Sequence, residues 1–113
     1  STRTVPEARA RWIILARASG TVRVDTGAKA AVLEKNSLLP AGVVEVEGNF
    51  DRGDVVRLEC EGRVFAKGIT DYTSEELMKI KGAHTDEIEG ILGYNNYSNV
   101  IKKENIGILK EFN

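Results

Sequence analysis

Asp25-Thr26-Gly27-Ala28, followed by Leu38-Leu39-Pro40-Ala41-Gly42-Val43, Gly48-Asn49-Phe50 and Gly53-Asp54-Val55-Val56, is the stretch that decides the fold. Just before it, Val22 and Val24 alternate with Arg23 and Asp25, the period of a half-buried strand. Asp25 or Thr26 then offers a side-chain oxygen to cap a helix. Ala28, Ala31, Val32 and Lys35 follow at helical spacing on one face. The Pro- and Gly-containing run from Asn36 to Gly42 ends that helix. Val43 to Glu47 and Asp54 to Cys60 predict two more strands, joined by the turn-rich segment Gly48 to Gly53. Glu61-Gly62 predicts a hairpin turn into a strand over Arg63 to Ile69.

Downstream, two short helices are predicted. Thr73 with Glu76 three residues on makes a capping box; Leu77 and Ile80 supply an apolar face, and Gly82 ends it. Thr85 opens the next helix, with Asp86 and Glu87 suited to its positive end. Ile88, Ile91 and Leu92 form an i, i+3, i+4 stripe that places Ile91 inward, and Gly93 suits the stop. Gly90 inside this helix costs about 0.5–1 kcal/mol against Ala, so the helix depends on packing. Ile106 to Leu109 predicts a last strand that closes a barrel. Residues 1–11 are polar and Arg-rich with Pro6, the composition of an arm or linker.

This order of elements resembles the PUA domain, the small β-rich module named for pseudouridine synthases and archaeosine transglycosylases. The phrasing resembles in particular the C-terminal PUA domain of the glutamate 5-kinase family. Ala8-Arg9-Ala10-Arg11-Trp12-Ile13 is similar to the connection by which those kinases leave their catalytic domain. Gly68-Ile69-Thr70-Asp71-Tyr72-Thr73-Ser74-Glu75-Glu76 is similar to the family's Gly-apolar-x-x-Tyr-Ser-Ser-x-Glu segment, and Glu87 to Tyr94 with Val100-Ile101 to its closing region. Lys102-Lys103-Glu104-Asn105 stands where the family often has His-Arg-Asp-Asn, so a role tied to that His does not carry over. The fold implied is mainly β, a β-rich α+β pseudobarrel of mixed strands with short helices. Residues 1–15 would be the arm from a missing upstream kinase domain, and residues 16–113 the PUA-like unit. The resemblance further implies a homo-oligomeric parent whose amino-acid-kinase domain transfers the γ-phosphoryl of ATP to L-glutamate with Mg²⁺. It leaves this domain a regulatory, assembly or RNA-binding role, with a free-standing RNA-binding module as the alternative.

At 113 residues and 42% hydrophobic, the chain suits one domain with one core. The lone Cys60 lies in a strand pattern and reads as a reduced, buried thiol. No apolar run approaches the ~20 residues of a membrane span, and no leader-like stretch opens the chain; a soluble cytoplasmic protein is expected. The net charge of −1 is unevenly spread. Residues 1–35 hold seven Lys/Arg against three acids, residues 36–98 six against twelve, and residues 99–113 three against two. A dedicated nucleic-acid domain usually carries a basic surplus, because phosphate neutralisation supplies most of its binding free energy.

Catalytic candidates are absent. The single His84 precedes a helix start, and one Cys with one distant His cannot supply the four ligands zinc takes. No nucleophile elbow, Walker loop or Gly-x-Gly-x-x-Gly is present, so no ATP or metal site is expected in this stretch. The start of the first long helix could hold a phosphate oxygen on its free N–H groups. Asp25 would repel that phosphate and is itself a good cap, which favours capping. The loop Leu38 to Gly42 corresponds to the loop that faces RNA in RNA-modifying PUA proteins, or else plugs the barrel with Leu38 and Leu39. If RNA binds at all, Arg11, Arg17, Lys29 and Lys35 are the contacts expected from the basic first third. Trp12 beside Arg11 could stack on a base, but docking of the arm, on the barrel or against a neighbouring domain, is the better use of its apolar surface. Arg52-Gly53-Asp54 and Asn96-Tyr97-Ser98 match an adhesion tripeptide and a glycosylation sequon, and neither has a supporting context.

Overall fold

The computed structural model describes residues 5–94 and 99–112, with the backbone alone for residues 5–7. Five strands form one mixed sheet: β1 (Gly20–Val24), β2 (Val43–Gly48), β3 (Val55–Cys60), β4 (Arg63–Ile69) and β5 (Ile106–Ile108). Their spatial order is β2-β1-β3-β4-β5. β1 lies parallel to β3 and antiparallel to β2, and the other neighbours are antiparallel. The helices are α1 (Val5–Leu15), α2 (Thr26–Leu33), α3 (Ser74–Ile80) and α4 (Ile88–Leu92). The sequon Asn96-Tyr97-Ser98 lies outside the described residues.

Local chemistry sets most boundaries. The Asp25 carboxylate accepts from the Ala28 N–H at 2.7 Å and starts α2. At its other end the Lys35 N–H donates to Val32 O and the Asn36 N–H to Ala31 O, the paired bonds of a Schellman stop. Lys35 takes the left-handed position there, at φ 69°. It therefore lies beyond α2 rather than on the helix face its spacing suggested. Glu61 and Gly62, at φ 52° and 83°, make the predicted hairpin turn. Thr73 and Glu76 exchange the two bonds of the capping box that opens α3.

Glu76 does more than cap. Its carboxylate also accepts from Arg52 at 2.6 Å and from the Tyr94 hydroxyl. Phe50 and Ser74 bond reciprocally beside it, so the turn after β2 is pinned to α3.

The core lies between the sheet and the helices: Val22, Val56, Leu58, Phe65, Tyr72, Leu77, Ile80 and Ile88 are all fully buried. Cys60 is buried, and desolvation with the nearby Glu61 pushes its thiol pKa up. Two sequence expectations fail here. Ile91 is 44% exposed, because α4 is barely more than one turn and only Ile88, with part of Leu92, reaches the core. Nor does β5 close a barrel by a ladder. Among the described residues it pairs with β4 alone, and Leu38 makes a single bridge with Ile101.

The arm is a helix. α1 lies on β4 and β5, with Ile13 fully buried beneath it. Gly107 permits the contact: a Cβ there would sit 2.6 Å from the Ala10 carbonyl oxygen. The Lys67 ammonium donates to Ala16 O at 2.9 Å and satisfies a carbonyl at the helix end. Trp12, expected to dock the arm on the barrel or against a neighbouring domain, does not dock on the barrel: it is 59% exposed.

Two predictions follow from burial and from charge. Leu58→Ala should cost about 2–5 kcal/mol of unfolding free energy, while Ile91→Ala should stay within about 0.5 kcal/mol. Denaturant midpoints of the two variants check this, and equal losses would contradict the burial pattern. For Glu76, burial raises the carboxyl pKa, but bonds from Arg52, Tyr94 and the Thr73 N–H outweigh it and hold it below its ordinary 4.5. A depressed carboxyl stabilises above its unfolded pKa, and that contribution is lost as pH falls through the folded value. Glu76→Gln keeps the capping acceptor but loses the charge. It should cost about 1 kcal/mol at pH 7, Arg52 being half exposed, and should flatten the acid limb of stability against pH.

Candidate functional site

Two concavities flank α2. The larger, about 600 Å³, lies between α1, the end of α2 and β5. Its apolar lining comes from Ile14 on α1, Val32 on α2, and Ile106 and Ile108 on β5. Four cations line it: Arg11, Lys35, Lys103 and Lys110, and among the described residues no carboxylate does. The Schellman stop of α2 delivers Lys35, and the Lys103 N–H bonds Ser37 Oγ at 2.8 Å, tying the 3₁₀ turn before β5 to the same place.

The smaller concavity, about 330 Å³, lies on the other side of α2 against the loop Leu38 to Gly42. No cation lines it, and its one charged group is Asp25. That carboxylate already occupies the Ala28 N–H at the helix start. Gly42 closes in so tightly that a Cβ would stand 2.5 Å from that of Ala28. The start of α2 is therefore capped from within, by a carboxylate whose charge opposes a phosphate. Of the two loop leucines, Leu38 is buried and Leu39 is half exposed.

The structure gathers Arg11 and Lys35 of the four expected contacts. Lys29 is turned elsewhere: its ammonium lies 5.2 Å from the Phe112 ring centroid and 5.8 Å from that of Phe65. Arg63 packs at 4.8 Å on the same Phe112 ring. These cation–π contacts fasten the C-terminal turn to α2 and the hairpin. Arg17 is exposed beyond α1 and lines neither concavity. Lys103 and Lys110 were missed; they flank the predicted last strand in a segment with a small basic surplus, the one signal that could have found them.

His84 is exposed, and its N–H donates to the Glu87 carboxylate at 2.8 Å as part of a turn. Among the described residues no three His, Cys, Asp or Glu side chains are placed to hold a metal ion. Two buried oxygens, Asp71 Oδ2 and Asn105 Oδ1, make no hydrogen bond, and burial raises the Asp71 carboxyl pKa. Neither lines either of these two concavities.

Compared with known families, residues 20–92 match the PUA domain. The chain belongs to the PUA domain family. The matched span runs from the first residue of β1 to the last of α4, so α1 and β5 lie outside it. A PUA domain from Aeropyrum pernix K1, solved as a tartrate complex, aligns over 74% of this chain and 41% of its own, at 28% identity and a TM-score of 0.55. A chain of the archaeal box H/ACA sRNP Nop10–Cbf5 complex shares the fold at 17% identity and a TM-score of 0.53, over 80% of this chain and 23% of its own.

Two much nearer relatives are glutamate 5-kinases. That of Methanosarcina barkeri is 88% identical over 108 residues, 96% of this chain and 28% of that protein. That of Methanosarcina mazei is 80% identical over 111 residues, 98% of this chain and 29% of that protein. The chain thus spans under a third of the length of these relatives.

Proposed function

We propose that this chain is the non-catalytic C-terminal PUA module of a glutamate 5-kinase. The observation that carries this reading is identity of 80–88% across nearly the whole chain to proteins over three times its length. The parent would transfer the γ-phosphoryl of ATP to the side-chain carboxylate of L-glutamate, in an upstream amino-acid-kinase domain. Residues 1–15 would lead from that domain and residues 16–113 form the module. The residues here do not fit ATP or Mg²⁺: there is no Gly-rich phosphate loop, and among the described residues no acidic cluster. Both would therefore belong to the rest of the parent. No described helix is long and apolar enough to cross a membrane, which accords with a cytoplasmic enzyme.

The full-length gene product should form ADP in a glutamate-dependent way, and the 113-residue chain should form none under the same conditions. Glutamate-dependent turnover by the short chain, abolished by a substitution within it, would contradict the proposal. A full-length product without such turnover would contradict the kinase assignment.

A second reading, contact with RNA, is favoured by the four cations that line the larger concavity without a carboxylate among them. Four phosphate contacts give a slope of about −3 in log K against log salt on single strands, or roughly 50-fold between ~50 and ~200 mM. A labelled RNA hairpin should then bind at ~50 mM salt and lose that affinity at ~200 mM. The double variant Lys35→Glu with Lys103→Glu should abolish binding. Lys29→Glu should instead lower stability, by about 0.5–1 kcal/mol for the lost cation–π contacts. An affinity carried equally by Lys29 would move the contact surface away from the concavity.

A further inference from the structure

Helix α1 is apolar on two opposite sides. Ala10, Ile13 and Ile14 face the sheet, with Ile13 fully buried and Ile14 and Ala10 packed at Gly107. At about 100° per residue, Ala8, Trp12 and Leu15 fall together on the far side. Trp12 is 59% and Leu15 79% exposed, the two most exposed large apolar side chains among the described residues. The inner side already has its partner, and the outer side has none among the described residues.

Nor is α1 a loose tail. Ile13, the close contact at Gly107 and the Lys67–Ala16 bond fix it to this domain. Its outward surface is therefore presented rigidly. Leu15 and Arg11 also line the larger concavity, so the exposed apolar strip continues into that apolar lining beside a cation.

We propose that α1 is an interfacial helix, buried in the parent between this domain and the domain that precedes it. Trp12 and Leu15 insert into an apolar surface of that domain, and Arg11 at the edge faces a carboxylate there. The proposal rests on the reading of the chain as a module of a longer kinase. Two observations select this occupant. The chain spans only 28–29% of its near relatives, so most of such a parent lies outside it. α1 is also the first element described and lies outside the matched PUA span of residues 20–92, as a joining helix would. RNA suits the surface less well, since Leu15 offers no ring for a base to stack on.

Site-directed thiol labelling tests this directly. Cysteine is introduced by Leu15→Cys and, separately, Trp12→Cys, in the 113-residue chain and in the full-length protein with its other accessible cysteines changed to serine. Cys60 is 2% exposed and stays silent. Glu89→Cys on the exposed face of α4 serves as the control. With a maleimide reagent, positions 12 and 15 should react roughly tenfold or more slowly in the full-length protein, a surface open under about a tenth of the time. Position 89 should react alike in both.

Equal rates in the two proteins would overturn the inference. So would protection that appears in the short chain as its concentration rises, the mark of a second copy, or protection that requires added RNA. Glutamate-dependent ADP formation by the same full-length preparation reports separately on the kinase reading. An active kinase with unprotected Leu15→Cys and Trp12→Cys sinks this inference alone.

Discussion

The parallel pairing of β1 with β3 is the constraint from which the rest of the architecture follows. Parallel neighbours cannot be joined by a tight turn, so the chain must leave one end of β1 and return to the other. It uses Asp25 to Asp54 for this, as α2, a Pro/Gly loop, β2 and a turn-rich return. β2 pairs back on the free side of β1, which makes β1 interior. That burial suits Val22 and Val24, while Arg23 reaches across both neighbours to Glu59 at 3.2 Å and Glu47 at 3.5 Å. The crossover carries α2 over the core, and both concavities form along its flanks.

Legibility tracks how local the determining interaction is. The Asp25 cap, the Thr73–Glu76 capping box and the Glu61-Gly62 turn each depend on side chains within a few residues of the backbone they satisfy. Each stands where the sequence puts it. Ile91 shows the limit. Its spacing is helical, but a stripe on a five-residue helix leaves open which of its members the core can admit, and only tertiary packing decides. α1 shows the same limit in stronger form. Its Arg-rich composition reads as a linker, whereas its docking depends on Gly107 and Lys67, distant in sequence. The cation set fails to assemble on paper for the same reason: Arg11 and Lys110 come from opposite ends of the chain.

Lys29 illustrates how charge alone misleads. It belongs to the basic first third, yet its ammonium is engaged by the faces of Phe65 and Phe112. Burying two aromatic rings against a helix leaves π surface that a cation covers better than water does. Phe112 lies outside the matched PUA span and Phe65 within it, so this lysine ties the C-terminal turn to that span.

The position of the remaining cations has an electrostatic cause within the fold. The N-terminal end of α2, where partial positive charge would attract an anion, is neutralised by the chain's own Asp25. Lys35 and Lys103 collect at the opposite end, where the helix dipole leaves partial negative charge that favours cations by about 0.3–1 kcal/mol each. Part of their field is thus spent on the helix end, and what extends outward is exposed and screened within about 8–10 Å at ordinary salt. The apolar outer face of α1 suffers no such screening, because burial of its Trp12 and Leu15 depends on area rather than charge. A partner that covers this edge of the molecule gains most from apolar contact on α1, with the cations setting orientation rather than strength.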